Sequence, residues 1–81
     1  MPFIPIAVEA FVALHVKANP DEDPQDLKSR LDEALLSRMA GATCGCGEPI
    51  WVIGSAIASQ ACFTCITGEA VPDGDYEIAG A

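Results

Sequence analysis

The C-terminal half of this 81-residue chain contains no lysine and no arginine. Between Gly41 and Ala81 the charged side chains are all acidic, and the whole sequence has 12 acidic against 4 basic residues, a formal net charge of -8. Because nucleic-acid affinity depends on lysines and arginines that neutralise phosphates, the sequence predicts no nucleic-acid partner. The last acids, Asp73, Asp75 and Glu77, are too irregular for a calcium loop, and we expect a solvated surface there.

Histidine is almost missing, since His15 is the only one. It lies in an apolar segment, which favours a packed or partly exposed helix residue over a metal ligand or a catalytic base. Ser55 lacks the G-x-S-x-G frame of a nucleophile elbow, and there is no second histidine for a catalytic triad. The sequence therefore predicts a protein that is not an enzyme.

Long hydrophobic runs and a basic N-terminal stretch are missing too. The longest helix-compatible apolar stretch, Ile6 to Ala18, contains charged residues and is shorter than the roughly 20 residues that span a bilayer. The first 18 residues have neither the basic start nor the cleavage pattern of a signal peptide. We therefore expect a cytoplasmic protein without membrane contact, in which cysteines are thiols or metal ligands rather than disulfides.

Two patterns in the first half predict helices. The first helix is expected over Pro5–Ala18, although its β-branched residues keep a strand interpretation open. The second is expected from Pro24 to about Ala40, because apolar residues recur there at steps of three and four. Asp23 before Pro24 is typical of a helix start, and Gly41 of a helix end. These elements predict a helical hairpin over residues 1–41.

The second half is rich in glycine, cysteine and β-branched residues, which favours short strands. Strands are predicted at residues 50–53, 56–59, 63–67 and 76–78, with a bend at Gly54. The predicted fold class is α+β: an N-terminal helical hairpin packed on a small antiparallel four-cysteine zinc-ribbon-like β module. This module is expected over residues 42–81, in one compact unit with the hairpin.

The four cysteines form two close pairs. Cys44 and Cys46 are separated by one residue, and the fifteen residues Gly47 to Ala61 separate them from Cys62 and Cys65. Each pair can supply two thiolates from a tight turn, as a tetrahedral site requires. The second pair fits the usual zinc spacing, whereas the first is one residue shorter. The sequence predicts one structural zinc ion per chain, bound by Cys44, Cys46, Cys62 and Cys65.

The short first pair needs a sharp turn, because side chains two residues apart point to opposite faces of an extended strand. Gly45 and Gly47 permit such a turn. Three alternatives to zinc stay open, of which the simplest is that the cysteines are buried side chains without a metal or redox role. Four thiolates also suit an iron–sulfur cluster. Cys62 and Cys65 alone suit a thiol–disulfide redox protein, although no Lys, Arg or His lies nearby in sequence to lower a thiol pKa.

The run from Cys44 to Ile78 reads CGCGEPIWVIGSA, then CFTCITGEA, then DYEI. It resembles a group of small bacterial proteins of unknown function that carry a similar four-cysteine segment behind a short helical region. The resemblance implies a metal-stabilised fold with no assigned activity. By broader analogy the cysteine half also looks like a zinc ribbon, a fold that serves many unrelated roles.

The chain has 51% hydrophobic residues, slightly more than a small monomer needs. We expect part of this surplus to meet a protein partner or a second copy through the apolar N-terminal helix, around Ile6, Phe11 and Leu14. The sequence thus predicts a structural or protein-interaction module stabilised by zinc.

Overall fold

The computed structural model describes residues 3–81. Within that range the chain forms two short strands and four helices. In chain order these are β1 (Ile4–Ile6), α1 (Val8–Ala18), α2 (Pro24–Met39), α3 (Val52–Ile57), α4 (Phe63–Thr67) and β2 (Tyr76–Ile78). The predicted α+β class is therefore confirmed.

Helix α2 follows its sequence signals closely. The Asp23 side chain accepts a hydrogen bond from the backbone N–H of Gln25 at 3.0 Å, and Pro24 occupies the first helical position. The helix ends at Met39, and Gly41 follows with φ of 94°, a left-handed conformation that glycine adopts without steric cost. The predicted second helix is thus confirmed.

Helix α1 begins later than the sequence predicts. Ala7 is its extended N-terminal cap, and the three residues before it, Ile4 to Ile6, form β1. The predicted start at Pro5 is wrong because the β-branched Ile4 and Ile6 pair with β2. Proline lacks the N–H that a central strand would use, and it is tolerated here because β1 is an edge strand.

The two strands pair in parallel, with Ile4 opposite Tyr76 and Ile6 opposite Ile78. The antiparallel prediction is wrong. The strands lie at opposite ends of the chain, and the intervening helices return β2 to β1 in the same direction, as parallel pairing requires. The antiparallel contact elsewhere is one isolated bridge between Thr43 and Pro49.

Helices replace the strands predicted between residues 50 and 67. The predicted bend at Gly54 lies inside α3, and a Cβ there would come within 2.3 Å of a ring carbon of Trp51. The glycine therefore permits close packing. The strand predictions for 50–53, 56–59 and 63–67 are wrong, because tertiary contacts override the preference of β-branched residues for strands. The edge strand at residues 76–78 is confirmed.

The hydrophobic core joins both halves of the chain. Leu27 and Leu31 on α2 are fully buried, as is Val52 at the start of α3. Phe11 from α1 and Ile78 from β2 complete the same cluster, together with Ile53 and Ala56. Helix α3 therefore packs on the helical hairpin, and its position fixes the segments on either side of it, which carry the cysteines.

Buried Glu77 holds α3 and β2 together. Its carboxylate accepts hydrogen bonds from the backbone N–H groups of Val52 at 2.8 Å and Ile53 at 3.3 Å, at the start of α3. It also accepts the N–H of Ile78 at 2.8 Å, and Arg38 lies 3.9 Å away. Burial raises the pKa of Glu77, and these donors oppose that rise. The expectation that Glu77 is solvated is wrong, because it caps a helix inside the fold.

Candidate metal centre

The structure brings together all four cysteines predicted as ligands. Their Sγ atoms all lie within 4.8 Å of one another. The two pairs come from different segments: Cys44 and Cys46 follow α2, whereas Cys62 and Cys65 lie at α4. Four sulfurs at these separations form a group that can hold a metal ion.

The first pair lies in a tight turn. The N–H of Cys44 donates to the carbonyl of Glu48 at 2.7 Å, and the N–H of Gly47 donates to the carbonyl of Cys44 at 2.9 Å. Gly47 has φ of 94°, which the turn needs and other residues adopt at a cost. Gly45 has no such φ, so the sharp reversal is achieved at Gly47.

The second pair lies on the first turn of a helix. Cys62 is the N-terminal cap of α4, and its carbonyl accepts the N–H of Ile66 at 3.1 Å. Residues three apart share one face of a helix, so Cys65 lies on the same side as Cys62. Helix α4 ends at Thr67, and Gly68 follows with φ of 81°. A helical turn therefore positions Cys62 and Cys65, whereas the sequence predicts a strand there.

Burial divides the sulfur cluster into two classes. Cys44 and Cys62 are buried, at 8% and 4% exposure, whereas Cys46 and Cys65 are exposed. Each pair thus contributes one buried and one exposed cysteine. The Sγ atoms of Cys46 and Cys62, one from each pair, are 3.5 Å apart.

The thiols affect one another's ionisation. Backbone N–H groups of Cys46 and Cys62 lower the pKa of Cys44 to about 6. Hydrogen bonds with the Cys44, Cys62 and Cys46 side chains raise the pKa of Cys65 to about 12. For Cys46, the N–H of Glu48 lowers the pKa, but the Cys62 and Cys44 thiols together outweigh it and raise the pKa. Four thiolates this close form together when a cation offsets their charge.

An aromatic cluster borders the cysteines. The rings of Trp51 and Phe63 meet edge to face at 5.0 Å, and Phe3 contacts both, at 5.8 Å from Trp51 and 5.4 Å from Phe63. The indole Nε1 of Trp51 donates to the carbonyl of Tyr76 at 2.9 Å. A groove of about 580 Å³ passes between these rings and the exposed Cys46 and Cys65. Trp51 therefore packs next to the sulfur cluster.

The other side chains considered from the sequence have structural contacts. His15 stacks on Phe11 with ring centroids 5.6 Å apart, which places it on α1. The hydroxyl of Ser55 donates to the carbonyl of Ala61 at 3.2 Å and accepts that residue's N–H at 3.3 Å. Ser55 thus fixes the residue that precedes Cys62.

Arg38 and Glu77 form a polar pair that the sequence does not predict. Arg38 donates to the carbonyl of Ile50 at 2.8 Å and so anchors the segment between the cysteine turn and α3. Nothing in the local sequence distinguishes Glu77 from the exposed acids near it, because its burial depends on β2 pairing with β1.

Comparison with protein-family models, curated proteins and solved structures finds no match for this chain. The resemblance to small bacterial four-cysteine proteins therefore stays a prediction. Among residues 3–81, every helix is too short or too polar to cross a membrane. The geometry of the cysteines is thus the main guide to function.

Proposed function

We propose that the four cysteines hold one structural zinc ion per chain. Zinc–sulfur bonds of about 2.3 Å place the sulfurs of a tetrahedral site about 3.8 Å apart. Cys46 and Cys62 already lie at 3.5 Å, and all four Sγ atoms lie within 4.8 Å. This spacing of the four sulfurs is the observation that carries the proposal.

The chemistry of the donors supports zinc in a structural role. Four thiolates fill a tetrahedral shell and leave no position for a catalytic water. In a four-iron cluster each cysteine binds a different iron atom, so the sulfurs must lie farther apart than around one ion. The compact sulfur group therefore favours a single ion. Tetrahedral sulfur also suits iron, which elemental analysis distinguishes from zinc.

The ion would connect two segments that have little regular structure of their own. Residues 42–51 and 58–62 flank α3, which packs on α2 in the core. A zinc ion bound to both segments would fix α4 against the turn that contains Cys44 and Cys46. We therefore propose a metal-stabilised structural or protein-interaction module.

Protein purified without added metal or chelator is expected to contain one zinc per chain by elemental analysis. Because bound thiolates react slowly, four thiols should become reactive after a strong chelator is added. One iron per chain instead of zinc would show that the four cysteines hold an iron ion. Protein without metal, with Cys62 and Cys65 cycling readily between dithiol and disulfide, would contradict it and support the redox alternative.

The proposed partner surface on α1 is narrower than the sequence predicts. Phe11 lies in the core and Ile6 is half-buried in β1, but Leu14 is 46% exposed. Val12 and Val16 line an apolar groove of about 380 Å³ beside α2. We propose that a second copy or another protein packs on the groove at Val12 and Val16. A light-scattering mass of one chain at high concentration would exclude the second copy.

A further inference from the structure

The two exposed cysteines of the sulfur cluster differ in their freedom to move. Cys65 lies in α4, where hydrogen bonds from Ile66 to Cys62 at 3.1 Å and from Gly68 to Thr64 at 2.8 Å fix the helical turn. Cys46 lies between Gly45 and Gly47, and a Cβ added to either glycine would meet no neighbouring atom within 4 Å. Two backbone hydrogen bonds also hold the turn that carries Cys46, but α4 is fixed in addition by the buried ring of Phe63, so the turn can shift more easily than α4.

Cys46 also has a partner within reach. Its Sγ is 3.5 Å from that of Cys62, and a disulfide needs about 2.05 Å, so the two sulfurs must approach by about 1.5 Å. Cys62 is buried and shielded from solvent, whereas Cys46 is exposed. A small oxidant from solution thus reaches Cys46 before Cys62, and Cys62 is positioned to react with the oxidised sulfur.

We propose that Cys46 is the site at which a hydroperoxide oxidises the metal centre, and that a Cys46–Cys62 disulfide forms and releases the metal. This inference rests on the proposed metal site. The redox-active pair is then Cys46 from the turn after α2 and Cys62 at the start of α4. The sequence alone suggests Cys62 and Cys65 instead.

The reaction balances in two steps. The Cys46 thiolate attacks one peroxide oxygen, the O–O bond breaks, and the leaving alkoxide or hydroxide takes a proton from water, which leaves a sulfenic acid on Cys46. The Cys62 thiolate then attacks the Cys46 sulfur, the S–O bond breaks, and hydroxide leaves and is protonated. The two thiolates lose two electrons, which reduce one peroxide to an alcohol, or water, and a second water.

The disulfide changes what holds the two segments together. Cys44 and Cys65 are the remaining thiolates, and two ligands do not fill the tetrahedral shell of zinc, so the ion dissociates. The new bond still joins the turn at Cys46 to the start of α4. The covalent link therefore replaces the metal link while the metal is released.

The test is to add hydrogen peroxide to the metal-loaded protein and measure released zinc with a chelating dye, with mass mapping of disulfides in parallel. Chymotryptic cleavage after Trp51 and Phe63 places Cys62 on a different peptide from Cys65 and from the first pair. Fragmentation of the linked peptides then separates Cys44 from Cys46. We expect one zinc released per Cys46–Cys62 disulfide, and recovery of zinc binding after reduction.

Met39 supplies a control, because its side chain is 70% exposed and peroxide can oxidise it. We expect this oxidation to have no effect on the cysteines. Met39→Leu should leave zinc release and disulfide pairing unchanged. A Cys62–Cys65 disulfide, zinc release without any disulfide, or zinc retention in excess peroxide would each overturn the inference. Absence of metal before peroxide is added would overturn the proposed function and this inference together. The metal content of the untreated protein therefore distinguishes failure of the proposed metal site from failure of the oxidation proposal.

Discussion

Removal of the metal is expected to unfold the cysteine-bearing half of the protein. Structural zinc in zinc-finger peptides has an apparent binding free energy of about 10–16 kcal/mol at neutral pH, and we expect a similar magnitude here. A chain of 81 residues has a net stability of only about 4–12 kcal/mol at the usual 0.05–0.15 kcal/mol per residue. Titration with a strong chelator should therefore abolish the structure around Trp51, and its fluorescence together with circular dichroism would follow the loss.

The buried ligands give the matched variants for this prediction. Cys44→Ser should lower zinc affinity and Tm strongly, because a serine hydroxyl is a poor replacement for a thiolate on zinc. Thr43→Ser, at the neighbouring exposed position, should change neither. Zinc added back to the chelated wild-type protein should restore the spectra. Unchanged spectra and Tm after complete chelation would contradict a structural role for the metal.

Glu77→Ala is expected to lower the free energy of unfolding by about 2–4 kcal/mol. The variant leaves the backbone N–H groups of Val52, Ile53 and Ile78 without their acceptor, and each buried unpaired donor costs about 1–3 kcal/mol. Water that enters the vacated space satisfies part of this loss, which keeps the expected total below the sum. Denaturant unfolding of the metal-loaded protein at neutral pH measures it.

One further variant separates the hydrogen bonds of Glu77 from its charge, and a second variant is the control. Glu77→Gln keeps one acceptor oxygen but directs an amide donor at backbone donors, so we expect an intermediate loss. Glu69→Ala removes an exposed acid of the same half and should have little effect. Equal stabilities of Glu77→Ala and Glu69→Ala would show that the buried carboxylate contributes nothing to the link between α3 and β2.

Local signals predicted the parts of the fold that local interactions determine. Asp23, Pro24 and Gly41 fix the ends of α2 by capping and backbone geometry, and both act within a few residues. The cysteine spacing likewise predicted two close pairs, since each pair lies within one turn, and the structure brings the two pairs together.

Long-range contacts decided the elements that the sequence misassigned. Val52 and Ile53 favour a strand by residue type, yet they start a helix because the Glu77 carboxylate caps their N–H groups from 24 and 25 residues away. Pro5 favours a helix start, yet β1 forms there because β2 is available to pair with it. Neither contact leaves a periodic pattern in the sequence.

The small parallel sheet also bears on how the protein behaves at high concentration. Ile4 and Ile6 direct their backbone groups toward β2, so the outer edge of β1 presents Pro5, which has no N–H to offer another strand. On the other edge, the carbonyl of Tyr76 is occupied by the indole of Trp51, and the N–H of Ile78 by Glu77. Both edges therefore resist strand addition, which protects this apolar chain from edge-to-edge fibril growth.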